Sequence, residues 1–136
     1  MTPDHLTVEI VTPTSLTEER QVDYLRAPST DGLFGVMPGH VPSLIALDIG
    51  ELTVEQQGRR EHYAISGGYA EIHREKVVLL VETAETAGTI DTDRAISALK
   101  RAKERLEKSD KSDIDTGRAK SALRRAQNRL TVARRK

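Results

Sequence analysis

Apolar and polar residues alternate along LTVEIV, where Leu6, Val8 and Ile10 take every second position, the spacing of a strand with one face in a core. LTVEQQ and EHYAIS repeat the pattern on either side of Gly58-Arg59-Arg60, and YAEIHRE meets KVVLLVE with room only for a tight turn around Glu75 and Lys76. Both pairs are predicted hairpins. Proline and glycine separate the segments (Pro13, Pro28, Gly32, Gly35, Pro38, Gly39, Pro42, Gly50, Gly67, Gly68), and no helix-length stretch lies between them. That spacing predicts an antiparallel β-sandwich or flattened barrel rather than a parallel sheet. Phe34, Tyr24, Tyr63 and Tyr69 are its only aromatics, so Val, Ile and Leu must fill the core.

Beyond Gly88 the period lengthens to that of a helix. Ile90-Asp91 has the form of a hydrophobic staple and N-cap. Ala95, Ala98, Leu99, Ala102 and Leu106 then form one stripe, and Ala119, Ala122, Leu123, Ala126, Leu130 and Ala133 form a second. The stripes belong to a repeated phrase: IDTDRAISALKRAKERL at residues 90–106 returns as IDTGRAKSALRRAQNRL at 114–130, with 12 of 17 positions identical. The polar EKSDKSD between the copies has nothing to bury, and Ile114-Asp115 reads as a second staple and cap. An antiparallel helical hairpin follows, with helices about 25 and 33 Å long. One repetition is too few for a solenoid. The chain therefore divides into a β-sandwich over residues 1–87 and a C-terminal antiparallel two-helix hairpin over 88–136.

Charge sharpens that division. The 136 residues carry no net charge, yet residues 1–89 hold 6 Lys/Arg against 14 Asp/Glu, while residues 90–136 hold 15 against 7. The basic half suits a phosphate or an acidic protein surface, with plain solvation as the alternative. There is no cysteine, so neither a disulfide framework nor a thiolate nucleophile exists. The start MTPDHLTVEIVTPTS lacks a basic segment followed by a long apolar run, and no stretch approaches the roughly 20 apolar residues that span a bilayer, so neither leader nor membrane anchor is expected.

Arg94 and Arg101 share one helix face, and Arg125 and Arg129 share another. An antiparallel pair turning near Lys111 sets Arg94 with Asp91, Arg125 and Arg129 at the open end, and Arg118 opposite Glu104 near the turn. Guanidinium forks bind phosphate oxygens bidentately, so a polyphosphate would relieve the cluster; nucleic acid, an acidic protein helix or solvent would serve the same face. Gly32 to His40 is glycine-rich but lacks the Lys-Ser/Thr ending of a P-loop and the spacing of a dinucleotide fingerprint. His5, His40, His62 and His73 show no metal-ligand spacing, DKSDIDTG misses the ligand pattern of an EF-hand, and no nucleophile-and-base set can be placed. No catalytic residue and no metal site is expected.

The segments APSTDGLFGVMPGHVPSLIALDIGELTV and AISGGYAEI, followed by the basic helical pair, resemble the epsilon subunits of F-type ATP synthases across essentially the whole chain. The resemblance implies a non-catalytic rotor subunit of the central stalk, peripheral to the cytoplasmic face of a bacterial inner membrane, that binds the gamma subunit and the c-ring through its sandwich. It also implies a mobile helix pair that folds as a hairpin or extends to meet acidic loops of the beta and alpha subunits and block hydrolysis. Many bacterial relatives carry an I/L-D-x-x-R-A motif that binds ATP as a regulatory ligand, present here as Ile90-Asp91-Thr92-Asp93-Arg94-Ala95. Carried over by position, the nucleotide site is Glu85, Ile90, Asp91, Arg94, Ala95, Arg101, Arg125 and Arg129, while the second copy of the phrase is only a helix cap. The loop bearing Leu33, Phe34, Val36, Met37 and His40 is the expected c-ring or gamma contact. Two other readings remain: a basic-helix module for nucleic acid or protein adaptors, held back by 3% aromatic content and an acidic sandwich, and an independent nucleotide hydrolase, which lacks a nucleophile-activating group.

Overall fold

The computed structural model describes residues 4–14, 18–108 and 113–136, with side chains in the last segment from residue 116. Among the described residues eight strands precede two α-helices: β1 (Leu6–Val11), β2 (Glu18–Val22), β3 (Tyr24–Ser29), β4 (Gly32–Val36), β5 (Ser43–Gln56), β6 (Arg59–Ile72), β7 (Lys76–Val81) and β8 (Ala84–Thr86), then α1 (Thr92–Lys108) and α2 (Asp113–Ala133). The strands run in the order β2-β1-β7-β6-β5-β3-β4, with β8 added to β6. Pairing is antiparallel except between β1 and β7, which run parallel; the long connection between them in sequence makes that possible.

The predicted hairpins form. Gln57 and Gly58 turn β5 into β6 with φ of 52° and 77°, the mirror-image turn that suits strand twist. Between β6 and β7 the His73 N–H donates to the Lys76 carbonyl at 2.7 Å. Both central strands, however, run straight through glycines expected to separate shorter ones. Gly50 lies within β5 and Gly67-Gly68 within β6, because these glycines make the bend by which both strands turn the corner of the sandwich.

The corner has a signature in the side chains. Inward positions in β5 are Ile45 and Leu47 before it and Leu52 and Val54 after it, so the inward set shifts from odd to even numbers. In β6 the shift runs from Tyr63 and Ile65 to Ala70 and Ile72. Pairing register is the same on both sides, with Leu47 opposite Gly68 and Ile49 opposite Ser66, so the strands bend together without slipping. Gly68 has φ 138°, and a Cβ there would stand 1.9 Å from the Leu80 carbonyl oxygen. Gly50 makes room for Pro28, whose Cβ would lie 2.6 Å from an added methyl.

Aliphatic residues fill the sandwich, as the thin aromatic content requires, with Tyr63 the one fully buried ring. Its hydroxyl donates to Glu18 at 2.8 Å and accepts from Arg20 Nη1 at 3.0 Å, while Arg20 also pairs with Glu61. Burial, then the bond to Glu18, push the Tyr63 hydroxyl well above the ordinary tyrosine pKa. This network ties the outer strand β2 to β6.

At the helices, Asp91 caps α1 as expected. Its Oδ1 accepts the Arg94 N–H at 3.1 Å and its carbonyl accepts the Ala95 N–H at 3.0 Å. The alanine stripes meet: Ala95 and Ala102 of α1, with Ala119 and Ala126 of α2, are buried, and Leu99, Leu106, Leu123 and Leu130 are half-buried beside them. The helix α2 begins at Asp113, ahead of the expected cap at Asp115; the side chains of Ile114 and Asp115, and residues 109–112 of the turn, lie outside the described residues. A second, small apolar cluster of Ala64, Ala87, Ile90, Val132 and Ala133 joins the helices to the sandwich.

Candidate functional site

Where α2 meets the sandwich, three arginines meet three carboxylates. Arg124 Nη2 lies 2.9 Å from Asp48 Oδ2, Arg129 Nε 2.8 Å from Glu85 Oε1, and Arg135 Nε 3.0 Å from Glu51 Oε2. Between them Asn128 Nδ2 donates to the Gly50 carbonyl at 2.8 Å. The corner of β5 positions Asp48, Gly50 and Glu51, and β8, hydrogen-bonded to β6, positions Glu85. Asp48 is held in place by its own bond from the Ile49 N–H at 2.8 Å, and the Arg124 guanidinium, outweighing partial burial, keeps its carboxyl below the ordinary value of 3.8. Glu51 is shared with His62, whose Nδ1 lies 3.6 Å away.

Of the eight residues expected at a nucleotide site, six line two hollows. Asp91, Arg94 and Arg101 line an open groove on α1 of about 460 Å³ together with Asp93 and Ser97. Glu85, Arg125 and Arg129 line a separate hollow of about 30 Å³ between α2 and the sheet, with Ala64, Ile65, Ser66, Thr83 and Asn128. The hollow is the size of a water molecule, whereas ligand pockets run from about 300 to 1,000 Å³. Neither hollow is lined by arginines of both helices, and Arg129 turns toward Glu85. Ile90 and Ala95 are buried, and with the Asp91 cap they build the helix start from which Arg94 projects.

Arg94, Arg101 and Arg125 make no ion pair with any described residue. Arg118 is exposed and is likewise unpaired among the described residues, so the carboxylate expected for it, Glu104, does not engage it. Sequence reasoning missed Asp48, Glu51, Arg124, Asn128 and Arg135. The opposite charges of the two halves were their signal, for the acidic surface that the basic half fits includes the sandwich of its own chain.

The expected contact loop sorts by burial. Leu33 and Met37 are 66% and 63% exposed, but Val36 is wholly buried and Phe34 packs against the core, so those two face inward. The alternation of a strand decides this, since Phe34 and Val36 lie on the opposite face from Leu33. His40 is half-buried, with Nδ1 2.7 Å from the Val41 carbonyl oxygen. Val41 and Leu44, not anticipated, are each 72% exposed. Among the described residues there is no cluster of metal-binding side chains, and no helix is long and apolar enough to cross a membrane.

Comparison with known proteins gives a consistent picture. The family model for the ATP synthase delta/epsilon chain, beta-sandwich domain, matches residues 5–87, and that for the delta/epsilon chain, long alpha-helix domain, matches residues 89–134. The ATP synthase epsilon chain of Nitratidesulfovibrio vulgaris (strain DP4) is 50% identical over 101 residues, 74% of this chain and 75% of that one. The epsilon chain of Anaeromyxobacter sp. (strain K) is 45% identical over 130 residues, 96% of this chain and 98% of that one. A chain in the cryo-EM structure of Euglena gracilis mitochondrial ATP synthase, OSCP/F1/c-ring, shares the fold with a TM-score of 0.81 at 21% identity, covering 94% of this chain and 81% of its own.

Proposed function

This chain belongs to the delta/epsilon chain family of ATP synthases, as an epsilon chain, and from that premise we propose that its helix pair is an ATP-sensing brake on a central-stalk subunit. The epsilon chain is a structural and regulatory subunit, not the catalytic one. In this reading the sandwich, residues 1–87, joins the gamma subunit to the c-ring through the apolar end at Leu33, Met37, Val41 and Leu44, and residues 88–136 are the regulatory hairpin. The whole sits on the cytoplasmic face of a bacterial inner membrane, attached through the complex.

The observation that carries the reading is the groove on α1. Arg94 and Arg101 line it without an ion pair to any described residue, Ser97 offers a hydroxyl between them, and Asp91 and Asp93 stand on the same open face. Arg125 is exposed on the neighbouring helix. Arg129 joins the phosphates only by leaving Glu85, so ATP binding includes an exchange of one anion for another.

ATP acts by population shift: it binds the hairpin and not the extended form, and its effect is limited to that difference in affinity. At 100 times its dissociation constant it adds about 2.7 kcal/mol to the hairpin. The helix contact is alanine-rich with half-buried leucines, so an increment of that size decides the balance. Isothermal calorimetry on the full chain tests the site. Arg94→Ala and Arg129→Ala weaken ATP binding far more than Arg118→Ala, and equal losses for all three overturn the assignment. With residues 90–136 deleted, the assembled enzyme hydrolyses ATP without the inhibition that low ATP otherwise imposes; hydrolysis unchanged at every nucleotide level removes the brake.

A further inference from the structure

We propose that Asp48, Glu51 and Glu85 form a built-in acidic receptor for α2, which competes with any external acidic protein surface for the same three arginines and so latches the hairpin against the sandwich without a nucleotide. The proposal adds a regulatory element to the switch described above and rests on that reading only for its consequence.

Charge adds to a small apolar contact between the helices and the sandwich. The apolar part consists of Ala64, Ala87, Ile90, Val132 and Ala133, mostly small side chains with little area to remove from water. The polar part is extensive by comparison: Arg124 and Arg129 lie in the second half of α2 and Arg135 just beyond its end, and each meets a carboxylate, with Asn128 on the Gly50 carbonyl between them. The acceptors come from two strands, β5 and β8, both paired with β6 in the sheet.

Partial exposure makes the latch adjustable. The pairs retain side-chain exposures of 51% and 35% for Arg124 and Asp48, 25% and 31% for Arg129 and Glu85, and 49% and 16% for Arg135 and Glu51. Charges so placed gain modestly from pairing and are weakened by salt. They also lose little on exchanging one carboxylate for another, which lets an acidic partner surface take over the arginines. Helix α2 carries the packing on β5 and β6, while α1 packs on α2, so release of α2 frees the pair.

The chain has no cysteine, so Asp31→Cys and Gln127→Cys, both at exposed positions, place two spin labels on the turn after β3 and on α2. Pulsed electron–electron resonance on the full chain without nucleotide reads the docked and undocked populations. Raising salt from about 0.05 to 1 M is expected to lower the docked-to-undocked ratio about tenfold. Asp48→Asn with Glu51→Gln does the same at low salt, and both substitutions avoid the residues assigned to ATP. The reciprocal exchange, Asp48→Arg with Arg124→Asp, restores the docked population, which a merely misfolded sandwich would not permit. A distance distribution unmoved by salt, or moved by salt but not by the substitutions, overturns the latch. Neither result bears on whether ATP binds Arg94, which the calorimetry decides separately.

Discussion

Arg129 of α2 grips Glu85 of β8 with two nitrogens, Nε 2.8 Å from Oε1 and Nη2 3.0 Å from Oε2. Only the second is a well-directed hydrogen bond; the buried Nε–H is close to its carboxylate oxygen but not aimed at it. Both side chains are mostly covered, so Arg129→Met leaves Glu85 without its cation and is expected to destabilise the folded chain by about 1 kcal/mol. Glu85→Gln costs less, because the amide oxygen still accepts from Nη2. Urea unfolding of the full chain checks the order; an equal or larger loss for Glu85→Gln refutes it.

Gly68 sets the corner of the sandwich. Gly68→Ala drives a methyl into the Leu80 carbonyl from a backbone at φ 138°, and the parallel ladder beyond β7 limits how far Leu80 can retreat. A loss of about 3 kcal/mol or more is expected, since both a steric and a backbone term act. Gly88→Ala, with nothing within 4 Å of the new methyl, is the control and stays within about 0.5 kcal/mol. The midpoints of urea unfolding measure both.

Why the corner escaped a reading of the sequence follows from the same glycine. Alternation identifies a strand only while one face stays inward, and at Gly67-Gly68 the inward set of β6 changes parity, so one long strand reads as two. Asp91 and its stripe were legible because a cap and a helical period are local. Arg129 was legible as a charge but not as a partner of Glu85, for pairing across 44 residues depends on where β8 lies beside β6. Phe34 and Val36 differ again: the loop containing them could be located, but the face each shows is settled by the pairing of β4 with β3.

Asp48 gives the docked form a dependence on acid. Its folded pKa lies below the ordinary 3.8, chiefly through Arg124, so its contribution is fully present above that value and is lost as pH falls through the lowered one. Stability is therefore expected to decline below about pH 4 with a slope that Asp48→Asn reduces. Denaturation across this range in both proteins measures it, and parallel curves would refute the assignment to Asp48.

Exposure separates binding from stability at the apolar end. Val41 and Leu44 are each 72% exposed, and Leu33 and Met37 nearly as open, whereas Val36 is fully buried. Large apolar side chains left this open mark a protein contact where they cluster. Val41→Asp with Leu44→Asp is expected to leave urea stability within about 0.5 kcal/mol, because neither side chain supports the core. The same pair should weaken association with a purified c-ring at least tenfold, since two carboxylates would have to be desolvated against it. Val36→Ala should do the reverse, costing about 1–3 kcal/mol of stability while leaving association of the folded protein within a factor of two. If Val36→Ala abolishes association while Val41→Asp with Leu44→Asp leaves it intact, the contact lies elsewhere on the sandwich.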